Sequence, residues 1–449
     1  MRRTLGPVQL FCLAFGAILG AGWIIAVGQW IAQAGPGGTV LGFVCGAGAL
    51  SLIALCYAEL GALYPATGGE IVYGERLFGR DIAYFTGWVL GVIYVSVCAF
   101  SAISIGWLVE VLAPGIQGPV LYRVLEQDIH SGGLAAGLIA IGAVTLVNYI
   151  GVQAAARVQG LFTVLLLCAF ALFITGALAG GHVSNLQPWF VSDSHRPGWV
   201  GVLGVFVTAP FWFSGWAAIA QALGEGQLAL GKQRRTLAWV FIAAISAACL
   251  FYCCVVLASA SSLPRTQLLS LALPAAGALE QALHSAWLAR LVLVTGLLSL
   301  LLALNAIFYS ATRVLFCLGQ MKLVSVQFAS LDARTGAPAY AGLWVCLLSI
   351  VGTGVGRGAI VPLVDAASIL IALVYLMVCT GVLKARKLGL TKRDGTTTFV
   401  WPALAVTLAV LAIALIEPWR ESAGNVPSDF VLLLITVAVG VALRKPERR

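Results

Sequence analysis

GAILGAGW, residues 16–23, lies midway along one apolar run of this chain, and APFWFSGW, residues 209–216, lies midway along another. Each places glycine or proline where a lipid-crossing helix has no water to satisfy the backbone groups that those residues free. The pair carries meaning only if the runs around it cross a membrane. The chain has 449 residues, 61% of them hydrophobic and 10% charged. Its mean hydropathy of +1.00 lies outside the range of water-soluble domains. Apolar runs of roughly 18 residues or more, enough to cross a hydrocarbon core of about 30 Å, recur along its whole length.

About twelve spans follow. The first six fall at about 7–31, 39–63, 81–112, 133–150, 152–179 and 199–222. The rest fall at about 236–260, 287–316, 338–354, 361–383, 399–416 and 428–443. Every gap is short, so no soluble domain is expected. The interrupted spans are the first and the sixth. That offset of five is what two inverted five-helix halves demand, with a binding site at the bilayer midplane between the breaks. A single GxxxG such as Gly16 and Gly20 also serves close helix packing, so it is the pairing that points to a site.

Basic residues sort by side. With both termini cytoplasmic, only Arg123, Arg196, Arg265, Arg290, Arg357 and Arg420 fall outside, leaving twenty of the 26 lysines and arginines inside. The formal charge of +9 therefore reports topology, and no nucleic-acid partner is expected. All eleven cysteines lie within apolar runs. They read as small packing residues, and the adjacent Cys253 and Cys254 lack metal-ligand spacing. No metal site or cofactor is signalled. The first run is too long for a secretory signal and is expected to stay attached as a span. Enzyme motifs such as HExxH, a nucleophile elbow or a Walker loop are absent from the sequence, as are the charge rings and filter repeats of a channel.

GAILGAGW resembles the first-helix motif of the amino acid/polyamine/organocation superfamily of permeases. YAELGALYPATGGEIVYGERLFG at 57–79 is similar to that superfamily's signature for the end of the second helix and the loop after it. FWFSGW at 211–216, GEGQ with KQRRT at 224–236 and SLLLALNAIFYSATRVLF at 299–316 resemble its sixth helix, the following loop and its eighth helix. The likeness spans nearly the whole chain. It implies an all-α integral membrane protein of LeuT-type fold with helices 1 and 6 broken at the midplane. Residues 1–180 would form the first inverted repeat, 199–384 the second, and 399–443 two peripheral helices.

Carried over position by position, the resemblance gives Ala21 and Gly22 as N–H donors to a substrate carboxylate. Ile18 and Phe211 supply carbonyls to its amino group, with Ser214 and Gly215 beside them. Free N–H groups at a half-helix start attract an anion, and free carbonyls at a half-helix end accept from an ammonium. Phe211 and Trp212 sit at the break, where Phe211 matches the family's gate residue or else only packs. Trp23 replaces the usual aliphatic residue and trims the pocket.

Departures matter as well. The fifth-helix lysine of many bacterial relatives aligns with Leu166, which leaves coupling open between uniport, exchange, sodium and proton. Ser299 would offer one oxygen to a sodium site or bond its own helix backbone. Asp365 enters the tenth span as a gate, a proton carrier or a helix-start carboxylate. Ala217 stands where arginine/agmatine exchangers carry an acid, and no lysine or arginine falls mid-span near the pocket. A neutral amino acid is the expected substrate. Reading of a side-chain carboxylate by Ser96, Ser101 or Ser214 keeps acidic amino acids open, and an amine permease is the further alternative. Glu59 and Glu70 are expected to pair with Arg76 or Arg80. The function expected is secondary transport across a bacterial inner membrane, as antiporter or symporter, with a sensor that binds without transport as the rival class. The partners expected are the substrate and the lipid bilayer.

Overall fold

The computed structural model describes residues 5–20, 22–124, 127–192, 197–227, 233–271, 273–283, 285–356, 360–391, 399–421 and 428–444. The chain starts with α1 (Pro7–Ile18), α2 (Gly22–Ile25) and α3 (Val27–Leu63), then α4 (Glu70–Phe78) and α5 (Arg80–Leu112). A hairpin of β1 (Val120–Val124) and β2 (Gln127–His130) precedes α6 (Ser131–Ile150) and α7 (Val152–Gly180). The second part holds α8 (Gly198–Trp212), α9 (Ala218–Ala222), α10 (Gln233–Ser262), α11 (Arg265–Ser270), α12 (Pro274–Leu283) and α13 (Ala286–Gln320). It ends with α14 (Ala339–Thr353), α15 (Ile360–Lys387), α16 (Val400–Glu421) and α17 (Ser428–Leu443).

Among the described residues, nine helices are long and apolar enough to cross a membrane, and three shorter apolar helices lie at 339–353, 400–416 and 433–443. Trp199, Trp239, Trp287 and Trp401 are each more than 60% exposed and lie near the starts of α8, α10, α13 and α16. Amphipathic rings at helix ends are what the lipid–water boundary favours.

The helix α3 corrects the boundary between the first two expected spans. Its 37 residues would measure about 55 Å at 1.5 Å per residue, nearly twice a hydrocarbon core. The reason is a kink with no loop: Gly35 takes φ +75° and Pro36 follows it, a backbone that glycine adopts without strain. The Thr39 hydroxyl donates to the carbonyls of Trp30 (2.9 Å) and Gly35 (2.7 Å). The N–H groups of Gly37 and Gly38 donate to the Trp189 carbonyl at 2.9 and 3.1 Å. The kink falls within the expected gap at 32–38, and it divides α3 into an arm before Gly35 and a longer one from Pro36 to Leu63.

The ends of the motifs are tied by charge. Glu225, after α9, is fully buried and meets Arg313 of α13 at 3.1 Å. Tyr309 donates its hydroxyl to the other carboxylate oxygen at 2.7 Å, and the guanidinium lies 3.7 Å above the Tyr309 ring. Leu5 bridges to the same segment, donating to the Glu225 carbonyl and accepting from Gln227. Glu59 is paired with Arg386 of α15, two bonds joining the groups, and not with Arg76 or Arg80. Its partner lies 327 positions away in sequence, where the fold brings the end of α15 against the end of α3.

Breaking a buried pair from one side leaves a bare charge, which costs about 3–5 kcal/mol. Arg313→Leu is expected to lower the unfolding midpoint in detergent sharply, and Glu225→Gln added to it is expected to recover part of the loss, read by thermal scanning of both variants.

Candidate functional site

Two helices stop inside the bundle and restart. The first stops at Ile18 and restarts at Gly22. From there it continues unbroken into α3, because the Ala26 N–H donates to Gly22 and the Trp30 N–H to Ala26. The other stops at Trp212, passes through a tight turn at Ser214–Ala217 and restarts at Ala218. The breaks face each other backbone to backbone. A Cβ on Gly215 would stand 2.2 Å from the Ala17 carbonyl carbon and 2.4 Å from the Ile18 nitrogen, so no side chain fits there.

The freed groups are then accounted for. The Ile18 carbonyl accepts from the Tyr252 hydroxyl (2.8 Å) and from the Gly20 N–H (2.8 Å). Tyr252, on α10, also reaches the Trp212 carbonyl at 3.4 Å and so clamps both breaks. The Ser299 hydroxyl, on α13, donates to the Leu19 carbonyl and approaches that of Gly20 at 3.2 Å. The Trp23 indole N–H in turn donates to Ser299 at 3.1 Å. In this conformation Ile18 has both acceptor positions engaged. The Phe211 carbonyl accepts from the Phe213 N–H.

The other expected residues gather at the same place. Gly22 faces the Trp212 ring, where an added Cβ would lie 2.7 Å from a ring carbon. Phe211 is 9% exposed and meets Trp212 edge-on at 5.1 Å. Ser214 opens the turn and Gly215 follows it. Among the described residues, a Cβ added at Gly20 would meet only Ala303, at an ordinary contact distance of 3.6 Å. Ala21 is outside the described residues, as is the side chain of Asp365. Leu166 is buried. The polar link from α7 to α1 comes instead from Gln159, whose amide donates to the Cys12 carbonyl at 3.3 Å and accepts from Asn305 at 2.8 Å.

Aromatic rings flank the sixth-span break on both sides. Trp30, Phe43, Phe213 and Tyr252 pack against one another and Trp212. Within the turn, Trp216 packs on Tyr57, Phe241 and Tyr375. Beside this second cluster stands Glu70, at the start of α4 and outside the spans. It accepts from the Gln221 amide of α9, not from Arg76 or Arg80. Burial pushes its carboxyl up to about 7, because removal from water penalises the charged form. Tyr252, Gln159 and Gln221 were hidden in the sequence. Their one signal is a polar side chain mid-span, which must find a partner in lipid.

A family model described as amino acid permease matches residues 5–441. The chain belongs to the amino acid permease family. The permease is 26% identical over 351 residues to the branched-chain amino acid permease BcaP of Bacillus subtilis, covering 77% of this chain and 72% of that one. It is 25% identical over 441 residues to a putative histidine permease of the same organism, covering 92% and 87%. To the glutamate/serine transporter AimA, also of Bacillus subtilis, it is 27% identical over 236 residues, covering 51% and 42%.

Tyr252→Phe removes the donor shared by Ile18 and Trp212, an unmade buried bond worth about 1–3 kcal/mol. The variant is expected to fold and to unfold at lower temperature, checked by thermal scanning of the purified protein beside the parent.

Proposed function

We propose that the permease is a secondary active transporter that holds an amino acid between the two breaks at the bilayer midplane and exposes it to each side in turn. The observation that carries this reading is the pair of facing interruptions, after Ile18 and at Ser214–Ala217, whose freed carbonyls meet only uncharged donors among the described residues. On this reading the chain crosses the membrane twelve times, as two inverted five-helix repeats and two peripheral helices. Both termini lie in the cytoplasm of a bacterial cell with the protein in its inner membrane.

The N–H groups at the start of the helix running from Gly22 are suited to a carboxylate. The carbonyls of Ile18 and Phe211 suit an ammonium once their present donors move aside. Phe211 and Trp212 cover the site. No cofactor enters this scheme, since no bond is made or broken.

A neutral substrate is favoured by charge. Buried Arg313 is paired with Glu225 and lies 14 positions beyond Ser299, about 21 Å along α13. Arg386 is paired with Glu59. The Ser101 hydroxyl donates to the Val97 carbonyl at 2.8 Å, so its proton is not free for a side-chain carboxylate. The relatives named for branched-chain amino acids and histidine agree with this reading, and the one named for glutamate and serine is the competing case. A sodium ion at Ser299 would find a single free lone pair on that oxygen, because Ser299 already accepts from the Trp23 indole and donates to the Leu19 carbonyl. Exchange or uniport needs no such ligand.

Counterflow in proteoliposomes tests the reading without any ion gradient. Vesicles preloaded with neutral amino acids are expected to take up a labelled neutral amino acid, and those preloaded with aspartate to exchange poorly. Efficient aspartate exchange would reverse the substrate assignment. Phe211→Ala is expected to slow exchange by about tenfold, roughly 1.4 kcal/mol on the barrier, while the purified protein stays monodisperse; an equal loss of folded protein would remove the gate role.

A further inference from the structure

Five segments converge on Glu70, which is fully buried. Gln221 of α9 donates to one carboxylate oxygen, and the other, Oε1, has no hydrogen-bond partner among the described residues. Tyr57 from α3, Tyr94 from α5, Tyr375 from α15 and Tyr73 from its own helix stand within electrostatic reach. Among the described residues no partner lies within ordinary hydrogen-bond distance of their four hydroxyls or of the Gln221 carbonyl oxygen, though Tyr57 approaches Glu70 and Tyr94 approaches Gln221. One ionisable group thus sits among five uncharged polar groups able to serve it. Tyrosine hydroxyls donate to a carboxylate or accept from a carboxylic acid, and a glutamine carbonyl accepts from the acid.

Glu75 and Arg76 share α4 with Glu70 and make no ion pair with it among the described residues, and other charged groups on the same elements are engaged elsewhere. Glu59 of α3 and Arg386 of α15 hold each other, and Lys384 lies over the Phe78 ring. Arg80 donates to the Met321 carbonyl and Asp81 pairs with Arg444 at the start of α5. Arg313 of α13 holds Glu225, and from the same helix Cys317 abuts the Gly68 turn that precedes α4. No ion pair to Glu70 is found among the described residues. An unpaired charge in such a place is strongly disfavoured over the neutral acid.

We propose that Glu70 is a proton-binding site of the gate on the α4 face, protonated while α5, α9 and α15 are closed around it and losing its proton to water when they part. The inference rests on the alternating-access reading above, in which α9, as half of the interrupted sixth span, moves. Opening then releases one proton. The closed state is fully favoured at pH values below the ordinary carboxylate range, and its advantage fades as pH rises to about 7. Above that value both states are ionised and the dependence ends.

Infrared titration of the purified permease in nanodiscs from about pH 5 to about pH 8 reads the C=O stretch of a protonated carboxyl. The band is expected to fade as pH rises, and Glu70→Gln, which keeps the shape of the neutral acid, is expected to lack it. Counterflow of a neutral amino acid at matched pH on both sides is expected to rise with pH by at most about tenfold per unit, levelling off above about 7. In Glu70→Gln it is expected to be flat. Gln221→Leu, which removes the donor to the ionised form, is expected to move both inflections upward, and inflections left in place would count against the site. A band that persists in Glu70→Gln, or counterflow as pH-dependent in that variant as in the parent, would overturn the proposal. Because the infrared signal needs no transport, a Glu70 band without counterflow of any amino acid would uphold the proton site and sink the transport reading.

Discussion

Backbone groups that leave a helix inside a membrane must be met by something other than water, and the architecture follows from how this permease meets them. The contact that makes it feasible is Gly215 against the Ala17–Ile18 backbone. With the chains that close, one tyrosine on α10 reaches carbonyls from both breaks, and one serine on α13 serves the Leu19 carbonyl with Trp23 behind it. Every donor in this set is uncharged. The breaks are thereby held by bonds that are individually weak and exchangeable, a condition suited to the ligand-holding role proposed for them.

Much of this was written in the sequence. The glycines and proline of the two interruptions stood out because they recur as a pair five spans apart, which close packing of one helix does not require, and the helix positions follow the apolar runs closely. What stayed hidden has physical causes. The boundary near Gly35 reads as a loop in GPGG, yet Thr39 and the Trp189 carbonyl satisfy the freed groups locally, so the helix bends and does not stop. Glu59 was assigned to neighbours in sequence because pairing across 327 positions leaves no local trace.

The candidate site was legible in its backbone and illegible in its supports. The resemblance of the two motifs to the permease superfamily pointed to Gly22, Phe211 and Gly215, and at the two glycines the close approach of Trp212 and of the Ala17–Ile18 backbone leaves no room for a side chain. Tyr252 carries no such mark, since one tyrosine in a span full of aromatic and small residues looks like packing. The same holds for Gln159, Asn305 and Asn148, which link α7, α13 and α6 in one buried chain of amides. Polar residues that serve other residues have no period of their own, and only the fold shows whom they serve.

The unbroken path from Gly22 through the kink to Leu63 has a mechanical corollary. A segment that touches the break at one end and reaches the far side of the bundle at the other is a bent lever. Its elbow is clipped to the Trp189 carbonyl by two amide bonds. A small tilt at the short arm, beside the break, sweeps the long arm through a wider arc near Glu59, where Arg386 ties it to α15. On the alternating-access reading, movement at the centre would be geared up at the periphery, with the elbow as fulcrum and the ion pair as the linkage that passes it on.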